Sequence, residues 1–246
     1  MLTAILSDIH ANREAFEAVL AAAEAAGAER YVLLGDIVGY GADPEWCVQR
    51  AQALQDDGAT VLRGNHDAAV GNPSVSMNAA AALALEWTRR QLCPRSRAYL
   101  AALPLDARNG EILYVHAEAR APEAWNYVLD GHDARRHLAA CDARVSVCGH
   151  VHKPALYCMG ADDRVKRFTP SGAMPVPLLA QRRWLAVAGS VGQPRDGNPA
   201  AAYCLHDERA NTLAFRRTAY DVETAAAKIR AAGLPAALAD RLFEGH

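Results

Sequence analysis

The stretch "LTAILSDIHANREAFEAVLAAAEAAG" (residues 2–27) joins a short apolar run to a longer amphipathic segment. The run predicts a buried strand that stops at Ser7 and Asp8, and the segment after it predicts a helix that Asn12 caps and Gly27 ends. The same order returns in YVLLGD (31–36), PEWCVQRAQALQDDG (44–58) and ATVLRGNHD (59–67). This alternation predicts an α/β protein with parallel strands and helices packed on a face.

The rest of the chain is richer in strands. A helix is predicted over about 76–92, a shorter helix before 103, and strands in EILYVHAE (111–118) and ARVSVCGHVH (143–152). Short strands separated by turns follow, in residues 155–159, 164–169, 182–190, 201–207 and 212–218, with DERAN (207–211) as a hairpin loop. Two helices over about 221–243, interrupted at 233–235, are predicted to end the chain.

Length and composition favour one domain over residues 1–246. With 246 residues, of which 51% are hydrophobic, the chain can bury a sizeable core. The proline-rich piece TPSGAMPVPLL (169–179) is too short to divide it. A net charge of −2 gives no basic surface for duplex nucleic acid, so a small substrate is expected. The six cysteines form no CxxC pair and are expected to be reduced and mostly buried. No leader or membrane-spanning run is evident, which predicts a cytosolic protein without a membrane partner.

Polar side chains stand where five of the predicted strands stop. Because the carboxyl ends of parallel strands share one sheet edge, these groups are expected to converge there. They are Asp8 and His10; Asp36; Asn65, His66 and Asp67; His116; and His150 and His152.

A pair of imidazoles one residue apart can hold a metal ion. In extended backbone His150 and His152 would point to the same side while Val151 points away, and neutral imidazole is the commonest metal ligand. Each motif also has an ordinary structural interpretation: a polar strand end, a helix cap, an aspartate turn or a hydrogen-bonded core histidine. It is the joint occurrence of five motifs that favours a metal site.

The same five motifs, DxH, GD, GNHD, a lone histidine and GHxH, resemble in order and spacing those of the calcineurin-like metallophosphoesterases. The longer segments GDIVGYGADP and GSVGQPRDG are similar to those of a bacterial branch of this family, described as predicted phosphodiesterases. The resemblance implies a four-layer αββα sandwich, in which two mixed sheets face each other and helices cover both.

The resemblance also assigns the ligands of two divalent ions. One ion would be held by Asp8, His10, Asp36 and His152, and the other by Asp36, Asn65, His116 and His150, so that Asp36 bridges them. Carboxylate, amide and imidazole donors together suit Mn, Fe or Zn, of which Mn is favoured here. Such a pair of ions can activate a bridging hydroxide for attack on phosphorus.

His66 is the predicted catalytic residue outside the ligand set. By resemblance it protonates the leaving group or stabilises the phosphoryl oxygens, and Asp36 or Asp67 orients it. Further substrate contacts are predicted at Asn78 and Trp87 in the segment 76–92, at Glu118 beside the metals, and at Arg195. Arg195 could instead pair with Asp196 in solvent, as exposed arginines often do. His132, His137 and His206 carry no motif and are expected at the surface.

Three departures from the family pattern bear on the substrate. Tyr40 and Gly41 stand where eukaryotic-type protein phosphatases have aspartate, arginine and glycine, which weakens that interpretation. Glu118 replaces the usual small residues after the lone histidine, and Val187-Ala188 replaces asparagine-proline, so a phosphate-facing amide could be missing.

The predicted function is therefore dinuclear metal-dependent hydrolysis of a phosphodiester or phosphomonoester, with a small phosphodiester or nucleotide as the favoured substrate. Within the enzyme class, the alternative is a phosphatase acting on phosphoserine or dinucleoside polyphosphates. Outside it, the chain could be a metal-stabilised scaffold without turnover. The sequence leaves the oligomeric state open.

Overall fold

The computed structural model describes residues 1–170 and 174–246, and three residues of the proline-rich piece, 171–173, lie outside it. The strands are β1 Leu2–Leu6, β2 Arg30–Leu33, β3 Thr60–Val61, β4 Asp106–Asn109, β5 Ile112–Val115, β6 Val145–Cys148, β7 Ala155–Met159, β8 Val165–Phe168, β9 Val176–Pro177, β10 Arg183–Val187, β11 Ala201–Asp207 and β12 Thr212–Thr218. The α-helices are α1 Arg13–Ala25, α2 Pro44–Asp56, α3 Asn65–Gly71, α4 Ala79–Gln91, α5 Pro94–Ala102, α6 Gly131–Ala139, α7 Val222–Ala231 and α8 Ala236–Glu244.

Most helix boundaries follow the capping signals. Asn12 caps α1 by accepting a hydrogen bond from Ala15 N–H, and Pro44 lies in the first turn of α2. The helix predicted from residue 76 begins at Ala79, because Asn78 is its cap. The piece GNHD, interpreted as a strand end followed by a turn, is instead the start of α3. The sequence patterns did not predict helix α6, although the Asp130 side chain caps it by accepting hydrogen bonds from two backbone N–H groups.

Two mixed six-stranded sheets confirm the predicted α/β class and its two-sheet arrangement. The first has the order β3-β2-β1-β11-β12-β9 and the second the order β4-β5-β6-β10-β7-β8. In the first, β1, β2 and β3 are parallel and β11 runs against β1. In the second, β5, β6 and β10 are parallel.

The side chains of the central strands alternate between two apolar layers. Ile5 on β1 packs between the sheets with Tyr114 on β5, whereas Ala4 packs against the helices of the first face. On the outer face of the second sheet, Leu185 packs against Leu138 of α6. The sheets therefore face each other across one core, and helices cover them from outside.

Helix α7 packs beside α1, and α8 packs on α7. Lys228 of α7 bonds with Glu14 of α1 and, at 2.8 Å, with Asp43. Cys47, Cys148, Cys158 and Cys204 are buried and all six cysteines are free, which confirms the prediction that they are mostly buried.

Candidate metal centre

The predicted ligands do converge, but they come from two sheets rather than from one sheet edge. Strands β1, β2 and β3 of the first sheet lead to Asp8, Asp36 and Asn65, while β5 and β6 of the second lead to His116 and His150. The prediction of a single edge was therefore wrong in this respect. The two sheets face each other, so their carboxyl ends meet at one end of the sandwich.

Five of the ligands have left-handed backbone. The φ angles are 54° at Asp8, 50° at His10, 52° at Asp36, 64° at His150 and 62° at His152. Residues other than glycine rarely adopt this conformation, and such strain clusters at functional sites. The extended backbone predicted for His150 and His152 was wrong, because each lies in a tight turn after β6, and they enter different groups of donors.

Backbone hydrogen bonds join the ligand-bearing loops. Asp8 N–H donates to Gly35 O at 3.0 Å, and His10 N–H donates to Asp36 O at 2.9 Å. Across the sheets, His150 N–H donates to Asp8 Oδ2 at 2.9 Å. A Cβ at Gly149 would overlap the Ser7 hydroxyl, so only glycine permits this close approach.

Each of the four ligand histidines has one ring nitrogen bonded to a backbone carbonyl. These pairs are His10 Nδ1 with Val38 O (3.1 Å), His116 Nδ1 with Leu34 O (3.0 Å), His150 Nε2 with Trp125 O (2.9 Å) and His152 Nδ1 with Gln193 O (2.6 Å). A carbonyl only accepts hydrogen bonds, so this nitrogen carries the hydrogen in each ring. In the neutral ring the opposite nitrogen then presents a lone pair to the centre, as metal ligation requires.

The acceptor atoms that face the centre have too few hydrogen-bond donors around them. The Nε2 atoms of His10 and His152 lie 3.1 Å apart, and Asp8 Oδ1 lies 3.3 Å from His152 Nε2. Asp8 Oδ1 and His150 Nδ1 are buried without a hydrogen-bond partner. Lone pairs held this close repel one another unless a cation lies between them. The donor set thus fits bound metal ions.

Asp36 lies between two groups of donors. Its Oδ2 is 3.6 Å from His10 Nε2 and 3.5 Å from His116 Nε2. Donor atoms of Asp8, His10 and His152 lie within 4.8 Å of one another, as do those of Asp36, His116 and His150. Asn65 Oδ1 adjoins the second group, 3.2 Å from His116 Nε2. This division matches the two ligand sets that the resemblance implies.

The charges of the centre favour a cation. Burial works against ionised carboxylates, yet neighbouring imidazoles, His152 for Asp8 and His116 for Asp36, hold both pKa values below their usual range. Burial also works against an imidazolium, but the charge of Asp36 and its hydrogen bond raise the pKa of His116 to about 9. Burial lowers the pKa of His150 to about 3. Two ionised carboxylates in a buried group of mostly neutral imidazoles attract positive charge.

His66 lies beside the ligands and faces the cleft. Its Nδ1 is buried without a partner, its ring centroid is 4.8 Å from that of His10, and its backbone N–H donates to Asp36 Oδ1 at 2.8 Å. Burial lowers the pKa of His66 to about 4, although Asp36 opposes the shift. It also belongs to a third group of donors with His10 and Asp36.

Asp67 holds the loops together and has no hydrogen bond to His66. Its Oδ1 accepts from Ile37 N–H and Val38 N–H at 2.9 and 3.2 Å, and its Oδ2 accepts from Gly64 N–H at 2.9 Å. Burial and the charge of Asp36 raise its pKa to about 7. Asp67 is thus bound to the backbone of the neighbouring loops and does not orient the His66 ring by a hydrogen bond.

A cleft of about 460 Å³ opens onto the centre. Its walls come from two loops, residues 72–78 and 123–127, and from Tyr40 and Arg195. The ring of Tyr127 stacks on that of His150, 4.1 Å between centroids, and 47% of Tyr127 is exposed. The ligands lie at the bottom, where Asp36 is 1% and His152 is 2% exposed.

Two of the predicted substrate contacts line this cleft. Asn78 does so at the start of α4, and Arg195 lies with its guanidinium 5.7 Å from the Tyr40 ring centroid. The alternative pairing of Arg195 with Asp196 is wrong, because Asp196 bonds to Arg217. Trp87 is not among the residues that line the cleft, and it packs on the apolar cluster around α4, α7 and α8.

Glu118 does not take the place predicted for it beside the metals. Its side chain is fully buried, and its carboxylate accepts from Arg136 Nε and Nη2, both at 3.3 Å, and from Asn126 Nδ2 at 3.1 Å. Glu118 thereby joins α6 to the loop that carries Trp125 and Tyr127. A buried, fully engaged carboxylate does not contact a substrate in the cleft.

Other residues also differ from expectation. His137 and His206, expected at the surface, are 0% and 4% exposed, whereas His132 is exposed as predicted. His137 Nε2 bonds to Ser146 Oγ at 2.7 Å and its Nδ1 accepts from Ala119 N–H at 3.2 Å. Val187 and Ala188 are fully buried in two apolar clusters, and neither lines the cleft.

Sequence reasoning did not predict the positions of Gln193, Trp125 and Tyr127. Gln193 lies after β10, a sixth strand whose carboxyl end reaches the centre, and the segment GSVGQPRDG was the available signal. Trp125 and Tyr127 stand in a loop with no motif, so no local signal could have identified them.

The fold and the donor set define an α/β protein with a candidate metal site made of carboxylate, amide and imidazole groups. The calcineurin-like phosphoesterase superfamily domain matches residues 1–211, and the chain belongs to that family. It is 32% identical over 253 residues to an uncharacterised protein of Methanocaldococcus jannaschii, covering 100% of this chain and 98% of that one.

Solved structures agree with this membership. The chain is similar to a metallophosphoesterase from Sphaerobacter thermophilus, with 34% identity, a TM-score of 0.87, and coverage of 100% of this chain and 99% of the other. A hypothetical protein from Pyrococcus horikoshii shares the fold at 19% identity, with a TM-score of 0.80 and coverage of 100% and 98%. In the described part of the chain, no helix is both long and apolar enough to cross a membrane.

Proposed function

We propose that this protein is a dinuclear, metal-dependent phosphoesterase that hydrolyses a small phosphodiester or phosphomonoester. The observation that carries the proposal is the position of Asp36 Oδ2, 3.6 Å from the His10 donor and 3.5 Å from the His116 donor. One carboxylate oxygen between two sets of donors is the arrangement that two adjacent ions require.

The donor set favours Mn²⁺, with Fe or Zn as alternatives. Four imidazoles, two carboxylates and an amide are intermediate between the all-oxygen sets of Mg²⁺ and Ca²⁺ and the thiolate sets of structural zinc. When bound, two such ions would supply a hydroxide nucleophile near neutral pH and positive charge beside the phosphoryl group.

His66 and Arg195 are the side chains that would act on the substrate. The low pKa of His66, about 4, favours a neutral ring that donates one N–H to a phosphoryl oxygen or to the leaving oxygen. Arg195 lines the same cleft and offers a planar guanidinium to phosphate. Asp67 would act only by holding the loop of His66, as its three backbone hydrogen bonds suggest.

The cleft favours a small substrate such as a nucleotide or a simple diester. A volume of about 460 Å³ suits a molecule of that size, and the net charge of −2 offers little attraction to a nucleic-acid polymer. A phosphatase acting on phosphoserine or dinucleoside polyphosphates is the alternative within the class. The cytosolic location stays a prediction from the sequence.

The decisive experiment measures hydrolysis of bis-p-nitrophenyl phosphate and p-nitrophenyl phosphate by chelator-treated protein before and after Mn²⁺ is added. We expect Mn²⁺ to restore turnover, and Asp36→Asn to lose turnover together with at least one bound ion. Asp56→Asn, an exposed position at the end of α2, is the matched control. Two bound ions without turnover on either compound would favour the scaffold alternative.

A further inference from the structure

Two arginines converge on one neutral acceptor, Gln193, next to the part of the cleft wall that Arg195 forms. Gln193 Oε1 accepts from Arg195 Nε and Nη2 at 3.2 and 2.8 Å, and from Arg241 Nη1 at 3.2 Å. Gln193 is 1% exposed, and its backbone carbonyl is the partner of the ligand His152. A single amide oxygen thus holds two guanidinium groups next to the metal centre.

No carboxylate offsets these two charges within the described residues. The acidic neighbours in the chain, Asp196 and Asp240, pair with Arg217 and Arg230 instead. Arg241 Nε is buried without a hydrogen-bond partner. Like charges this close repel each other, and an uncharged amide neutralises neither. The pair therefore retains the capacity to bind an anion.

The position of Arg241 is fixed by the end of α8. Gly245, at a φ of 68°, ends the helix, and its carbonyl accepts from Gly197 N–H at 2.9 Å. A Cβ at Gly245 would lie 2.6 Å from the backbone carbon of Asn198. The end of α8 is thus docked on the segment that carries Arg195. Arg241 lies beyond residues 1–211, which the family domain covers.

We propose that Arg195 and Arg241 form an anion subsite for a second phosphate group of the substrate, one that is not attacked. Two guanidinium groups match phosphate oxygens in geometry and charge, and Gln193 holds them in place until the anion binds. The substrate class is then a phosphate ester with a further phosphate, such as a nucleoside or dinucleoside polyphosphate. This inference rests on the proposed phosphoesterase function, but binding at the subsite does not require the metals.

Binding of inorganic tripolyphosphate to chelator-treated protein tests the subsite without turnover. By titration calorimetry we expect Arg241→Gln to weaken binding at least fivefold, and Arg241→Lys to weaken it less because it keeps the charge. Arg230→Gln, an exposed arginine on the neighbouring helix, is the control and should bind like wild type. Equal binding by Arg241→Gln and wild type, or no binding by wild type, would overturn the proposal.

A selectivity measurement separates this inference from the proposed function. For Mn²⁺-loaded protein, the ratio of kcat/KM for diadenosine tetraphosphate to that for bis-p-nitrophenyl phosphate should fall at least tenfold in Arg241→Gln. An unchanged ratio contradicts the subsite while the phosphoesterase stands. Absence of turnover on both compounds contradicts the phosphoesterase, and the calorimetric comparison then decides the subsite. If circular dichroism shows that Arg241→Gln does not fold, Arg241→Lys is compared with wild type instead.

Discussion

The metal centre and the rim of its cleft differ in how firmly the chain holds them. By rim we mean the loops 72–78 and 123–127 together with Arg195 and the adjoining Arg241. In the centre, each of the four predicted histidine ligands is bonded to a backbone carbonyl, and His150 N–H donates to the Asp8 carboxylate across the two sheets. The rim depends instead on a few side-chain contacts, such as Glu118 with Arg136 and Gln193 with Arg241.

This difference indicates a division of tasks. A rigid centre presents its donors in one geometry, which metal binding requires. A rim made of loops and of the end of α8 can vary without disturbing that geometry, and it decides which phosphorylated molecule fits. Substitutions in the centre should therefore change metal content or rate, whereas those in the rim should change substrate preference or local stability.

The largest effect is expected at His66, where the centre meets the cleft. His66→Ala should keep both metals and lower kcat/KM by about 10²- to 10⁴-fold on a phenyl phosphate ester, because a positioned donor is removed. Parallel measurement of bound metal by atomic emission checks that the ligands are intact. Wild-type rates at full metal content would contradict the role of His66.

Substitution of Glu118 tests how far the stability of the rim depends on this one buried carboxylate. Glu118→Gln should lower the free energy of unfolding by about 1–3 kcal/mol, below the cost of a fully buried pair because Arg136 is 36% exposed. Urea denaturation followed by circular dichroism measures the change. Glu86→Gln removes the exposed pair with Arg90 and should cost about 0.5 kcal/mol or less. Equal costs would contradict the structural role of Glu118.

The pH dependence of stability provides a test of the buried side chain of His137. Burial lowers its pKa to about 3, so the folded state holds the ring neutral while the unfolded state binds a proton below about pH 6.5. Its stabilising contribution is therefore present above pH 6.5 and is lost as the pH falls toward 3. Between pH 7 and pH 5 this group alone should cost the folded state about 2 kcal/mol.

The measurement is urea denaturation at both pH values for wild type and His137→Gln. The loss of stability between pH 7 and pH 5 should be smaller in the variant by about the contribution of this one group. The same loss in both proteins would show that His137 does not titrate in this way. His132→Gln, at an exposed position on the same helix, is the control.

The smallest effect is expected at the end of α8. Gly245→Ala should destabilise the protein by roughly 1–2 kcal/mol, because a left-handed alanine is strained and its Cβ meets Asn198. Gly233→Ala has a similar φ of 70° but open space around the Cβ, so it measures the strain alone, about 1 kcal/mol. Thermal denaturation of the two variants measures the difference in their stability. A Gly245→Ala protein as stable as Gly233→Ala would show that the helix end is not docked.

Local patterns in the sequence predicted most of the helices and strands, but not helix α6 or strands β4 and β9. The cap at Asn12, the proline that begins α2 and the alternation of strands and helices depend on residues close in the chain, and the structure has these elements. The motifs of Asp8 and His150 follow their strands directly, so these residues could be singled out as candidates, whereas their assignment as metal ligands came from the resemblance to the family. The match to a known family supplied the two-sheet arrangement, which periodicity alone does not contain.

Only the tertiary structure decided how these groups face one another. Whether Glu118 meets the metals or Arg136, and whether Arg195 pairs with Asp196 or joins Arg241, depends on contacts between segments far apart in the chain. The left-handed turn at His150 is likewise stabilised by its hydrogen bond to Asp8, on the other sheet. The sequence by itself determined which chemical groups are available, because strand ends and caps are local. The packing of two sheets and a terminal helix determined their partners, because side-chain partners depend on three-dimensional proximity.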